Sequence, residues 1–183
     1  MTPTFPPELR SARLRLQPLA DLHAPSLFRH VTSDPEVTRY LTWHAHRELA
    51  QAYAMVERCR GMTEERVFAI SLLSADPSEA LGTLSMRRFV RGRVDLGYML
   101  ARSLWGQGLM TEAIGAAISW SLRQQDIWRV AGVCDVANAS SAKALEKAGM
   151  SLEGVLRSWG WHPNVSDTPR DCYSYAIVRT EAG

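Results

Sequence analysis

The chain has 183 residues, 46% of them hydrophobic and 22% charged, the mix of a soluble globular domain with enough apolar surface for a real core. A formal net charge of +2 excludes the broad basic footprint of a nucleic-acid binder, and Lys143 and Lys147 are the only lysines among 21 basic residues. Cys59, Cys134 and Cys172 are odd in number and far apart, with no CxxC spacing, so neither a disulfide framework nor a zinc site is expected. The opening MTPTFPPELRSARLRL has no apolar h-region or cleavage pattern, and AIGAAISWSL is far short of the ~20 residues that cross a bilayer. A soluble, cytoplasmic protein without membrane or nucleic-acid partners is the expectation.

Residues 12–19, ARLRLQPL, alternate with period two and predict a half-buried strand that ends at Pro18 and Asp21. DLHAPSLFRHVTS predicts a helix with Leu22, Leu27 and Val31 on its apolar side. DPEVTRYLTW predicts a shorter helix or turn, and residues 48–60 another helix carrying Leu49, Tyr53 and Val56. From about residue 66 the period changes. VFAISLL reads as a strand, and LGTLSMRRFV and RVDLGYML read as an antiparallel hairpin turning at Arg91-Gly92. SLWGQGLMTEA then runs into a helix, WRVAGVCDV into a short strand, and NASSAKALEKAG into a helix capped by Asn138 and stopped by Gly149. Two last strands, near 151–161 and 171–179, flank a loop with Pro163, Asn164, Asp167 and Pro169. No repeat or linker interrupts the pattern, so one α/β domain over residues 1–183 is expected. The strand–Gly-loop–helix–strand unit at its centre calls for two parallel strands within a mixed sheet.

The glycine pair in SLWGQGLMTEA carries the first chemical signal. The first N–H groups of a helix lack intrahelical partners and suit an anion, and glycines ahead of them let the backbone come close to it. Phosphate or diphosphate is the ligand this favours, though a plain tight connection is written the same way. No GK[ST] follows, so it is not a Walker loop, and the antiparallel hairpin before it argues against a dinucleotide fold.

DLGYML, LWGQGLMTEA, NASSAKALEKAGM and the final strands, in that order and at those intervals, resemble the GNAT superfamily of acyl-CoA-dependent N-acyltransferases. RLRLQPL and DPEVTRYLTW extend the likeness to the branch that includes the ribosomal-protein N-terminal acetyltransferases. The resemblance implies a mixed α/β fold: a mostly antiparallel sheet of about seven strands, splayed at the acyl-CoA cleft, with helices on both faces. It implies acetyl-CoA as co-substrate with its diphosphate on the backbone of Gly106, Gln107, Gly108, Met110 and Thr111, and its pantetheine arm along Met99, Leu100 and Ala101. The superfamily's usual Arg or Gln three residues before the first glycine is Ser103 here, with Arg102 beside it.

Acyl transfer to an amine needs a neutral amine, a donor for the oxyanion and a proton for the departing thiolate. The resemblance implies that Asn138 contacts the pantetheine and Ser141 protonates the thiolate; helix capping alone would also place Asn and Ser at these positions. Asp95, on the strand leading to the cleft, is a candidate general base, or else the partner of an arginine such as Arg93. Glu112 in a first helical turn suits the dipole. Tyr40, Trp43 and His44 border the acceptor groove by family position, and two histidines, His44 and His46, without a third ligand do not make a metal site. Arg87, Arg88, Arg91 and Arg93 lack the interleaved aromatics of an RNA platform and read as a solvated hairpin end. Cys134 reads as a buried small hydrophobe. The function expected is acetyl transfer to a primary amine, on a protein N-terminus or a small molecule, by direct attack in a ternary complex. A non-catalytic acyl-CoA-binding module, or a different phosphate-binding enzyme, is the competing expectation; monomer and homodimer are both left open.

Overall fold

A computed structural model describes residues 5–180; the first four residues of the opening stretch and the last three of the expected domain lie outside it. Eight strands form one sheet: β1 (Leu9–Arg10), β2 (Leu14–Pro18), β3 (Glu65–Leu72), β4 (Gly82–Arg87), β5 (Arg93–Leu100), β6 (Arg129–Asp135), β7 (Ser151–Gly160) and β8 (Arg170–Val178), in the spatial order β1-β2-β3-β4-β5-β6-β8-β7. Neighbours are antiparallel except β5 and β6, which run parallel. Sequence expectation counted about seven strands. The eighth is β1, whose two residues are too short to write a period of two.

The helices are α1 (Ala24–Leu27), α2 (Pro35–Thr38), α3 (Leu49–Arg60), α4 (Leu109–Leu122) and α5 (Ala139–Lys147). The single helix expected near residues 22–31 is broken. A tight turn at Asp21–His23 leads into α1, and a wide, π-type turn at Phe28–Thr32 leaves it, where the Ser33 hydroxyl donates to the Phe28 carbonyl at 2.6 Å. α2 opens on Asp34, whose Oδ1 accepts from the Glu36 N–H at 2.9 Å.

Period-two alternation divides the sheet's side chains between two cores. Leu14, Leu16, Phe68, Ile70, Leu84, Met86, Val94 and Leu96 meet Ala113, Ile114, Ala117 and Ile118 of α4 and Leu145 of α5 on one face. On the other, Leu19, Val67 and Ala69 meet Leu27, Val31, Val37 and the Ala52, Met55 and Val56 stripe of α3. Helices therefore cover both faces.

What positions the site is a gap in this sheet. β5 and β6 are in register only from Arg93↔Arg129 to Leu96↔Gly132. Beyond that rung Gly97–Leu100 has no partner on the β6 side, while β6 continues on β8 as far as Asp135↔Cys172. Two parallel strands thus diverge at their C-terminal ends, directly beneath the loop into α4 and the start of α5.

Candidate active site

A cavity of about 920 Å³ fills the divergence and runs through the sheet from the mouth of α4 to α2 and α3. Gly106, Gly108, Met110, Thr111, Asn138, Ser141, Lys143 and Lys147 line its α4/α5 end; Tyr40, Trp43, Arg58, Ser85, Arg87, Trp161 and His162 line the other.

At the α4/α5 end, Gly106 and Gly108 adopt φ of +77° and +76°, the left-handed region that only glycine enters cheaply. Gly108 is the cap of α4, and among the described residues no side chain caps that first turn, the arrangement of N–H groups that suits an anion. The loop is braced from outside itself. Arg13 of the β1–β2 turn donates to the Gln107 carbonyl at 2.9 Å and from Nε to Glu112 at 2.6 Å, while the Ser11 hydroxyl holds the other Glu112 oxygen at 2.9 Å. Burial pushes the Glu112 carboxyl up, but the Arg13 and Ser11 bonds outweigh it and hold it below its ordinary value. Glu112 is thereby a brace for the loop, and Arg13 is a contributor that sequence reasoning missed because it lies 94 residues from Gln107. Gln107 itself donates to the Ser103 carbonyl at 3.0 Å, and Arg102 and Ser103 sit exposed in the turn ahead.

The β5 wall shows which backbone groups are free. Leu19 N–H pairs with Val67 and Arg88 N–H with Glu64, which turns the even residues of β4 toward β3 and its odd residues toward β5. Met99 then pairs toward β4, opposite Thr83, and the Ala101 N–H bonds the Leu81 carbonyl at 2.8 Å. Tyr98 and Leu100 are the residues whose peptide groups face the gap. The Leu100 carbonyl is already bonded by the Trp105 indole N–H at 2.8 Å, leaving the Leu100 N–H and the Tyr98 peptide.

Asn138 caps α5 by accepting from the Ser141 N–H at 3.1 Å, and the helix ends as a Schellman motif, with Met150 N–H on the Leu145 carbonyl, Gly149 N–H on the Glu146 carbonyl and Gly149 at φ +92°. Ser141 Oγ lies 2.7 Å from the Tyr98 hydroxyl, across the gap from β5. Burial raises the Tyr98 phenol well above its ordinary range, so it stays protonated. Cys134, also in the cavity wall, is pushed up to about 11 by burial and is a thiol rather than a thiolate. Replacing Asn138 by Ala is expected to cost about 1 kcal/mol of stability through the lost cap, whereas Asp keeps the cap. Thermal unfolding of both variants, set beside their acetyl-CoA affinity, separates capping from ligand contact: weaker affinity in both marks the amide as a contact.

The remaining expected residues fall as follows. Asp95 is outside the cavity lining, and its Oδ2 takes both Nε and Nη2 of Arg93 at 2.9 and 2.8 Å. Tyr40 reaches across to the Ala137 carbonyl at 3.3 Å, and Trp43 stacks on His46 at 4.7 Å between ring centroids. His44 stays at the rim, where Nδ1 meets Asn164 Oδ1 at 2.6 Å; the Asn164 amide also donates to the Thr38 and Trp43 carbonyls, tying the acceptor-side loop to the β7–β8 loop. Arg88 pairs with Asp126. Cys59, Cys134 and Cys172 are free thiols. No cluster of three or more His, Cys, Asp or Glu side chains is close enough to hold a metal ion among the described residues, and no helix there is long and apolar enough to cross a membrane.

Two more acceptor-side features were not legible in the sequence. Asp135, with its side chain fully buried, accepts from Arg170 Nε at 2.5 Å and Nη2 at 3.0 Å and from the Ala137 N–H at 2.8 Å, pinning the turn that presents Asn138. His162 lies 3.8 Å from both Asp135 and the Cys172 sulfur and is 8% exposed. The Asp135–Arg170 and Asp135–His162 contacts join residues far apart in the chain and leave no local pattern.

The acetyltransferase (GNAT) domain family matches residues 13–151. The chain belongs to the GNAT acetyltransferase family. Among curated relatives, this GNAT protein is 28% identical to the uncharacterized N-acetyltransferase YoaA of Bacillus subtilis (strain 168), over 94% of the chain and 97% of that protein. It is 29% identical to the ribosomal protein uS5-alanine N-acetyltransferase of Escherichia coli (strain K12), over 64% of the chain and 65% of that protein. Among solved structures, the microcin C7 self-immunity acetyltransferase MccE, crystallised with acetyl-CoA and AMP, superposes with a TM-score of 0.80 at 20% identity, covering 92% of this chain and 94% of that one. The last likeness is one of fold. Together with the family match, the named relatives make the enzyme class N-acetyltransferase.

Proposed function

We propose that this single GNAT domain moves the acetyl group of acetyl-CoA directly onto a primary amine in a ternary complex, with no acyl-enzyme in between. The observation that supports this best is the coincidence of three features at one opening: the β5–β6 divergence, the Gly106/Gly108 nest above it, and the Ser141–Tyr98 pair on its far wall. Bound acetyl-CoA supplies a thioester-activated acetyl group; the chain's own residues do the rest. The N–H groups of Gly106 to Thr111 hold the diphosphate, with Lys143 and Lys147 on the same rim adding charge. The Leu100 N–H and the Tyr98 peptide, rather than the Met99 peptide that pairs toward β4, are the groups free to bond the pantetheine amides and the developing oxyanion.

Ser141 supplies the proton to the departing sulfur. Tyr98, kept neutral by burial, has its hydroxyl 2.7 Å from Ser141 Oγ, and a bond donated by the phenol leaves the serine proton free for the gap. Asn138 holds that serine's backbone in place. Asp95, clamped by Arg93, is not needed in this scheme, and the open acceptor side lets the amine shed its proton to water. A protein N-terminus and a small-molecule amine both fit an opening bordered by Tyr40, Trp43 and His44. The relative named for uS5 alanine favours a polypeptide end. Calorimetry with acetyl-CoA, followed by thiol release in the presence of an amine panel, tests the proposal. Binding without thiol release for any amine would turn the protein into a non-catalytic acyl-CoA module, and no heat with acetyl-CoA would overturn both.

A further inference from the structure

The acceptor half of the cleft holds an arginine, Arg87, whose side chain forms no hydrogen bond or ion pair among the described residues. Thr83, Ser85 and Arg87 alternate on the face of β4 opposite Leu84 and Met86, and all three line the cavity. Arg87 does not extend along its own strand. Its guanidinium lies across β5 over Gly97, where a Cβ would stand 2.5 Å from Nη2 and 2.9 Å from the Ser85 hydroxyl. A side chain at Gly97 would crowd the place this cation occupies.

Its electrostatic neighbours are all accounted for. Glu65 on β3 and Asp95 on β5 are its register partners, yet neither forms an ion pair with it, and Asp95 is held by Arg93. Glu36 pairs with Arg39 at 3.8 Å. Arg58 of α3 adds a second cation to the acceptor-side lining, and of the other lining carboxylates Asp135 pairs with Arg170, which leaves Glu65. The Arg87 Nε is buried without a hydrogen-bond partner among the described residues. Leaving a guanidinium N–H dry and unbonded is costly, and a ligand oxyanion would remove that cost.

The geometry points to Arg87 as the anchor for a carboxylate carried by the amine acceptor, so that the enzyme selects anionic amines. This rests on the acetyl-transfer proposal above and narrows its substrate. Gly97 precedes Met99 by two strand residues, about 6.6 Å at ~3.3 Å per residue. That separation fits an amine placed at the Tyr98–Leu100 opening and an acidic group within the same residue or the next. A free dicarboxylic amino acid and the acidic end of a polypeptide share this chemistry.

The test compares three acceptors: a dipeptide amide led by glutamate, the same led by glutamine, and free glutamate. The wild type is expected to favour the glutamate-led dipeptide over its carboxamide twin by roughly 10- to 100-fold in kcat/KM, the difference residing in KM. Arg87→Gln brings that ratio to near one, and Arg87→Lys restores part of it; acetyl-CoA calorimetry and melting confirm that both variants are folded. Turnover of free glutamate at a comparable rate names a small amino acid as the source, and turnover of the dipeptide alone names a polypeptide end; both agree with the proposal. A wild-type ratio near one, or a ratio untouched by Arg87→Gln, overturns it. Should no amine be acetylated, the transfer proposal fails separately. Calorimetry of the three acceptors on CoA-loaded protein then still decides Arg87, and equal affinity for carboxylate and carboxamide would count against it.

Discussion

Ser141→Ala should lower kcat by about 100-fold, the lower end of what a positioned proton donor contributes, with the KM for acetyl-CoA changed by no more than about twofold. The substitution removes only the hydroxyl. Asn138 accepts from the backbone N–H of residue 141, which alanine keeps, so the α5 cap survives and structural damage is not an alternative cause. Steady-state kinetics of thiol release, with acetyl-CoA and amine varied separately, reads the split. Tyr98→Phe should lower the same parameter less, because it removes the group that orients the serine proton and leaves the proton itself. An unchanged kcat in Ser141→Ala would leave water as the thiolate's acid and reduce the Ser141–Tyr98 pair to architecture.

The second large effect concerns Asp135. Asp135→Ala should destabilise the fold by roughly 1–3 kcal/mol, the cost of leaving hydrogen-bond donors without their partner, because Arg170 and the Ala137 N–H lose their acceptor together. Urea unfolding at neutral pH measures it. The same carboxylate sets an acid limit. Burial raises its pKa, but the Arg170 bonds, the Ala137 N–H and the nearby His162 outweigh burial and hold it below the ordinary 3.8. A carboxyl depressed in the folded state gives stability that is complete above the unfolded value and disappears as pH falls through the folded one. The wild type should therefore lose this contribution only below about pH 3.8, whereas Asp135→Asn should lack it throughout. Wild-type and variant stabilities that differ equally at pH 7 and at pH 2.5 would refute the linkage.

The parts of the site that could be read in advance are those whose physics is local. Gly106 and Gly108 announce a left-handed turn before a helix, and Asn138 and Gly149 announce the two ends of α5 within twelve residues. The Arg91-Gly92 turn announces the hairpin, with Gly92 at φ +80°. What escaped depends on register. Arg87 and Gly97 meet only because β4 and β5 pair Ser85 with Gly97, and no window of either strand contains that information. Arg13 beside Gln107, and Arg170 beside Asp135, are fixed by how distant strands lie in the sheet. The sequence reading named Met99, Leu100 and Ala101 as backbone partners, but which peptides of that stretch point outward is a matter of pairing parity, visible only once β3, β4 and β5 are aligned.

The rung at Leu96↔Gly132 has a consequence for the protein's life without its co-substrate. Beyond it the sheet lacks a member, and an extended arm with two amide groups laid in that slot serves as an extra strand that the polypeptide does not encode. Whatever occupies it then belongs to the folding equilibrium, adding RT ln(1 + [L]/Kd), about 2.7 kcal/mol at a hundredfold excess over Kd. On the proposed function, a chain deprived of its acyl carrier would lose both its reactant and that added stability, which thermal unfolding with and without acetyl-CoA would read.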